Sequence, residues 1–405
     1  MTQPAGNEAC GPDCECYTNV VPLLDAPRPA PPHRVYADHN ATTPLDPAVL
    51  DAMLPYWRDQ FGNASSIHQF GRQARAAIDH ARSRLARLLG CEEGEIIFTS
   101  GGTEADNLAL FGCRPGHVIS SAIEHHAVLR AAERRHATLL PVDHAGLVDP
   151  ADLRKALRPD TVLVSVMSAN NETGTLQPIL ELAAICRERA IPFHTDAVQS
   201  FGKEPVNVRE WGVDLLSLSA HKFHGPKGAG ALFVRRGVTL EPQLVGGSQE
   251  HDHRGGTENV AGIVGLAQAA ELAVARQAEE SGRLFALTEQ FAANVQQTIP
   301  GTQRNGHRQR RVANTINLSF EGCSLEGLLI GLDLEGVAVS SGAACTVGSL
   351  QPSHVIAAMG VPAEMAKSAI RFSFGSGNTA GDVEYIVAAL AKVVTRLRAA
   401  QSKNR

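Results

Sequence analysis

A chain of 405 residues, 43% of them hydrophobic and 20% charged, is too long for one small module and has apolar content for two or three cores. Its 37 Lys+Arg against 42 Asp+Glu give a formal net charge of −5, with the basic residues scattered, so a polyanion field is excluded and no direct nucleic-acid partner is expected. No apolar stretch approaches the ~18 residues of a membrane helix, and the opening MTQPAGNEACGPDCEC lacks the basic start and apolar run of an export signal. Eight cysteines, mostly isolated, form no disulfide framework. The expected protein is cytoplasmic, reduced and without a membrane partner.

In chain order, residues 1–34 hold seven of the 22 prolines. Each Pro removes a backbone donor, so this stretch is expected to be a largely mobile tail. Its Cys10, Cys14 and Cys16 make a C-x3-C-x-C pattern with no evident fourth ligand, and no metal is expected there. From residue 35, short β-branched runs at 95–100, 117–122, 137–142, 161–169, 192–197, 214–220 and 229–236 alternate with helix-period segments. The helical stretches are 103–112, 127–136, 150–158 and 179–190, several preceded by Asp, Ser or Thr able to cap. That alternation predicts an α/β fold, with a mostly parallel seven-stranded sheet covered by helices as the large domain, residues 35–260. A Gly-rich loop, GGSQEHDHRGGTEN, then precedes a long helical pattern over 260–297. Strands at 312–320, 337–341 and 368–374 interleaved with helices at 325–332 and 382–397 predict a smaller α+β domain, which together with the long helix makes up 261–405. The His251-Asp252-His253 pair in the loop lacks the three or four convergent ligands of a stable metal site.

Ligands of open α/β sheets sit beyond the carboxyl ends of the strands, and three such ends carry polar clusters. Strand 95–100 runs into Ser100-Gly101-Gly102-Thr103-Glu104, where glycines allow close backbone approach and a helix N-terminus offers amides and the Thr103 hydroxyl to a phosphate. Alone, Gly-Gly before a helix is more often a tight turn. Strand 192–197 ends in Asp196, which by itself is equally a helix cap. Strand 214–220 leads to Lys222 in a Gly/Pro loop, where a lone Lys is ordinarily solvated. Together the three supply what pyridoxal phosphate needs: an anion cradle, an acid to keep the pyridine nitrogen protonated and a lysine for the Schiff base.

The stretches YADHNATTP (36–44), FGNASSIHQFGRQAR (61–75), FTSGGTEADN (98–107), EHHAVL (124–129), SANNETG (168–174), HTDAVQSFGK (194–203), SLSAHKFHGPKG (217–228), SSGAACT (340–346) and SAIRFSFG (368–375) resemble, in this order, the cysteine desulfurases. These are fold-type-I pyridoxal-phosphate enzymes of aminotransferase class V. The resemblance implies that Lys222 carries the cofactor, Asp196 partners the pyridine nitrogen, Gln199 the ring hydroxyl, and His125 stacks on the ring. Gly102, Thr103, Ser219 and His221 would bind the phosphate, with Thr257 contributed by the neighbouring subunit of a homodimer. Asn171 and Arg371 would receive the substrate carboxylate; a guanidinium suits a carboxylate because it gives two parallel charge-assisted hydrogen bonds. Cys345 would be the nucleophile that takes sulfur from L-cysteine as a persulfide, leaves L-alanine and passes sulfur to an acceptor such as an iron–sulfur scaffold or a thiolation enzyme.

The small, polar surroundings of Cys345 leave its thiol uncrowded, whereas Cys91, Cys113, Cys186 and Cys323 sit in apolar runs and read as small core hydrophobes. The alternatives are another class V reaction on the same lysine and aspartate, such as a selenocysteine lyase, a cysteine or cystine β-lyase or a transaminase, and a silent scaffold that binds the cofactor structurally. The requirement for Cys345 separates the first group; a colourless protein would mark the second.

Overall fold

The structure, a computed structural model, describes residues 33–342 and 353–402. Cys10, Cys14, Cys16 and Cys345 lie outside the described residues. In chain order the elements are β1 (Val35–Tyr36), α1 (Pro47–Arg58), α2 (Gln69–Leu89), β2 (Ile96–Thr99), α3 (Gly102–Gly112), β3 (His117–Ser121), α4 (His126–Arg134), β4 (Thr138–Leu140), α5 (Pro150–Ala156), β5 (Thr161–Ser165), α6 (Ile179–Glu188), β6 (Phe193–Asp196), α7 (Val208–Trp211), β7 (Leu215–Ser219) and β8 (Gly230–Val234). There follow α8 (Val260–Thr298), β9 (Thr302–Asn305), β10 (Thr315–Phe320), α9 (Leu325–Leu334), β11 (Val337–Ala338), α10 (His354–Ala358), α11 (Ala363–Ala366), β12 (Ile370–Ser373) and α12 (Ala380–Ser402).

All seven expected strands of the first half form one sheet, ordered β2-β8-β7-β6-β5-β3-β4. Only β8 runs against its neighbours, pairing antiparallel with β2 and β7. Every residue of β2, β3, β5, β7 and β8 is buried, which is why these strands read as continuous β-branched and apolar runs instead of alternating ones. Successive side chains still point to opposite faces. Ile96, Phe98, Ile119, Val164 and Leu216 join one apolar cluster with α2, α5, α6 and the first half of α8, while Ile97, Val118, Leu163, Leu215 and Leu232 join another with α3 and α4.

The 39-residue α8, roughly 58 Å long at 1.5 Å per residue, runs through two apolar cores. Ile263 and Leu266 pack in the large cluster, and Leu284, Phe291 and Val295 pack in the small domain's core. The smaller sheet is β12-β10-β9, antiparallel. Its third strand is β9, not the stretch expected at 337–341. There only Val337–Ala338 is strand, and it pairs in parallel with β1. Val35 and Ala37 accordingly pack with the small-domain cluster, whereas the sequence reading starts the large domain at residue 35. Among the described residues no helix is long and apolar enough to cross a membrane, and no group of three or more His, Cys, Asp or Glu is placed to hold a metal ion.

Candidate active site

A cavity of about 400 Å³ opens where the carboxyl ends of β6 and β7, the N-terminus of α3 and β12 of the small domain converge. Gly102, Thr103, His125, Asn171, Asp196, Gln199, Ser219, His221, Lys222 and Arg371 all line it. Of the sequence-derived candidates among the described residues, only Thr257 is elsewhere: it is exposed, in the loop before α8.

One end is built for an anion. β2 turns through Gly101 into α3, whose first residues Gly102 and Thr103 line the cavity together with Ser219 and His221, and a helix N-terminus suits an anion. A Cβ on Gly102 would lie 2.8 Å from Val198 Cγ2, and one on Gly230 would lie 2.6 Å from Gly101 Cα. The cradle is therefore open only because both positions lack side chains. His221 Nδ1 meets Thr42 Oγ1 at 3.2 Å; burial, then Lys222 and Lys227, push its pKa down to about 4, leaving a neutral ring at pH 7.

Opposite this cradle, β6 ends in Asp196, whose Oδ1 accepts from the Val198 amide at 2.8 Å. Burial raises its pKa to about 6, while the Val198 amide and the Lys222 ammonium pull the other way. Asp106 lies close by, and burial and the charge of Asp196 push its carboxyl well above the usual range. Two buried carboxylates this close do not both ionise. Burial therefore raises the proton affinity of both carboxyls, and the charge of Asp196 raises that of Asp106 further.

Lys222, ending a 3-10 turn after β7, donates from Nζ to the carbonyls of Asn40 at 2.6 Å and Ala41 at 2.8 Å. Burial and then the Arg371 guanidinium lower its pKa to about 8, against the pull of Asp196 and Asp38. An amine this poised both attacks carbonyl carbons and carries protons near neutrality. His125 caps α4, its Nδ1 accepting from the Ala127 amide at 3.2 Å. The ring faces the open cavity, yet enough protein surrounds it that burial, followed by Lys222, His126, His354 and Arg371, pushes its pKa down to about 4. It is neutral, with its remaining proton on Nε2.

Arg371, on β12, donates from Nη2 to Asp38 Oδ1 at 2.6 Å and from Nη1 to the Asn171 carbonyl at 3.0 Å. Among the described residues its Nε and the Asn171 Oδ1 are buried without partners, and the Asn171 amide nitrogen makes a 3.4 Å contact to the Gly342 carbonyl. A guanidinium and an amide with N–H groups to spare, side by side at one wall of the cavity, have the donors to bind a carboxylate.

An anion cradle, a buried carboxyl, a poised lysine and a neutral aromatic ring around one cavity fit pyridoxal phosphate. Gly102, Thr103, Ser219 and His221 would take the phosphate, Asp196 the ring nitrogen, Gln199 the ring oxygen and His125 the ring face. Sequence reasoning assigned no role to Asp38, Asn40, Asp106 or Lys203, although the first two stand in the YADHNATTP stretch. Asp38 and Asn40 act through contacts 131 to 333 residues away in the chain, which no local spacing signals.

A family model, aminotransferase class-V, matches residues 35–386. The chain is 50% identical over 375 residues to the cysteine desulfurase IscS of Dictyoglomus turgidum, covering 90% of this chain and 95% of that one. It is 47% identical over 375 residues to the cysteine desulfurase IscS of Methanosarcina thermophila, covering 90% and 93%. Among solved structures, a NifS-like protein superposes with a TM-score of 0.84 at 36% identity, covering 90% of this chain and all of that one.

Proposed function

Since the chain belongs to the aminotransferase class-V family and, within it, to the pyridoxal-phosphate-dependent cysteine desulfurases, we propose that it converts L-cysteine to L-alanine and takes the sulfur as a persulfide on Cys345. The observation that carries this reading is the convergence of Lys222, Asp196 and Arg371, from three separate elements, on one interdomain cavity. The cofactor, when bound, supplies an electron sink for the substrate's α-carbon.

The rest is the work of this chain's residues. Arg371 and Asn171 hold the substrate carboxylate and so orient the sulfur. Lys222, with a pKa of about 8, moves the α-proton, and neutral His125 confines the ring and shares in proton transfer. The Cys345 thiolate attacks the substrate sulfur. The C–S bond breaks, its electron pair stays with the substrate carbon, and protonation there completes the methyl group of alanine. The new S–S bond leaves a persulfide on Cys345, which an acceptor thiol attacks at the outer sulfur.

The other thiols support this assignment. Burial pushes Cys91 and Cys186 up to about 12 and raises Cys113 and Cys323 as well, so none of the four supplies a thiolate near neutrality. Gly342, which lines the cavity, stands three positions before Cys345 in the sequence. Exposed Thr257 completes the phosphate site of the neighbouring subunit in a homodimer, and the acceptor is a cytoplasmic iron–sulfur scaffold or thiolation enzyme.

A single turnover of the holoenzyme with L-cysteine and no reductant tests the proposal. One alanine per site is expected, with one extra sulfur located on Cys345 by mass spectrometry. Free sulfide with no protein persulfide would mean a lyase and would sink it.

A further inference from the structure

A second lysine in this site has no part in the chemistry above. Lys203 donates from Nζ to Gln199 Oε1 at 2.9 Å and to Asn40 Oδ1 at 3.1 Å. The charged groups around it are Lys222 and Arg371, which repel it, and Glu204, which attracts it. His39 and His224 also feel its charge, and burial pushes the pKa of both rings down. With burial acting first, Lys203 is itself held down to about 7.

Charged or neutral, the Lys203 nitrogen keeps at least two N–H donors, and both amides turn their oxygens toward it. Asn40 is fixed independently: its Nδ2 donates to Thr315 Oγ1 at 2.8 Å and to the Asn171 carbonyl at 3.1 Å, and its Oδ1 also accepts from Asn314 Nδ2 at 3.0 Å. Among the described residues Gln199 has no second restraint on its oxygen, so Lys203 fixes the oxygen end of that amide. With Oε1 taken, Nε2 points the other way, donating at 3.0 Å to the Asn40 carbonyl, the same oxygen that accepts from Lys222. Without Lys203 only the Asn40 carbonyl, through Nε2, holds the amide against a flip that would offer an oxygen in place of an N–H.

We propose that Lys203 is a positioning residue that locks the Gln199 amide with its N–H toward the cofactor's ring oxygen. The proposal rests on the reading that this cavity holds pyridoxal phosphate with Gln199 beside that oxygen. A fixed donor there favours the oxygen's anionic form and thereby lowers the proton affinity of the Lys222 nitrogen joined to the cofactor.

The test is the pH titration of the visible absorption band of the holoenzyme, with cofactor retention on dialysis as a second readout. Lys203→Met should raise the titration midpoint by about one pH unit, the equivalent of one hydrogen bond to a charged group, and should release cofactor faster. Lys203→Arg, which keeps donors and charge, should restore most of the wild-type midpoint. Gln199→Leu should produce a similar rise, and the double variant Lys203→Met, Gln199→Leu should add little to it, because the lysine acts through the amide. Lys203→Gln serves if the methionine variant does not fold, with the same upward shift expected. An unchanged midpoint in a folded, loaded Lys203→Met or Lys203→Gln protein overturns the proposal. So does a Lys203→Arg midpoint as far displaced as that of methionine, or full additivity with Gln199→Leu. Failure of the underlying reading looks different: the wild type itself would show no visible band and no borohydride-trapped adduct on Lys222.

Discussion

Replacing Arg371 by Lys probes the carboxylate receiver with the charge retained. Two of the five guanidinium N–H groups are engaged, by Asp38 and the Asn171 carbonyl, and among the described residues the buried Nε has no partner. Arg371 therefore has N–H groups left to offer the substrate carboxylate as a pair. A lysine has three; if it keeps the same two partners it has one left. The variant loses at least one hydrogen bond between charged groups, worth about 1.5–3 kcal/mol, which converts to roughly 13- to 160-fold at 1.36 kcal/mol per factor of ten. Because the contact is made to bound substrate as well as in the transition state, the loss should fall mainly on KM. Alanine formation measured against L-cysteine concentration checks the size. Cysteamine, which has the amine and thiol but no carboxylate, checks the cause: the preference for cysteine over cysteamine should shrink by the same factor. An Arg371→Lys enzyme with wild-type KM, or one that loses activity equally on both compounds, would refute the assignment of the receiver.

Lys222→Ala should abolish turnover and the borohydride-trappable adduct while some cofactor stays held at the Gly102–Thr103 cradle; mass spectrometry that places the wild-type adduct on Lys203 or Lys227 contradicts the site. Cys345→Ser should remain yellow and respond spectrally to L-cysteine while alanine production collapses, and alanine release near the wild-type rate would point to a lyase or transaminase instead. His194 is fully buried between Ser165 Oγ at 2.8 Å and Ser217 Oγ at 3.0 Å, and burial holds its pKa down to about 3. A depressed histidine gives stability that is complete above its unfolded pKa of about 6.5 and is lost as pH falls toward the folded value. The lost share is about 2 kcal/mol between pH 7.5 and 5. His194→Asn should therefore lose about 2 kcal/mol less than wild type over that interval in urea unfolding, and equal losses would show that the ring does not stay neutral in the folded protein.

What could be read from the sequence follows from where each signal is stored. The strands of the large sheet other than β4 were legible because both their faces are buried, so the hydrophobic demand is written into consecutive residues. By contrast, β9 is Thr-Gln-Arg-Asn, a polar string whose strand character comes from tertiary contacts. Asn305 donates to Asn317 Oδ1 and Ser319 Oγ across the ladder, and Arg304 pairs with Glu289 on α8, so its partners stabilise a segment that its own propensity does not favour. The site divides in the same way. Lys222, Asp196 and Thr103 stand at or just beyond strand ends, where topology alone puts chemistry within reach of a ligand, and sequence position was enough to mark them. Asp38, Asn40 and Lys203 act only because the segment preceding α1 is laid across the mouth of the sheet and held there by the small domain. Asn40 is bonded at once to Lys222, Lys203, Gln199, Asn314 and Thr315. Its backbone oxygen receives the proposed catalytic lysine, and its side-chain oxygen receives the second one. A residue that joins two domains and two lysines couples their relative placement to the geometry of the cofactor site. The positions hardest to read from the sequence are therefore those that assemble the site, because their function exists only when distant segments have met.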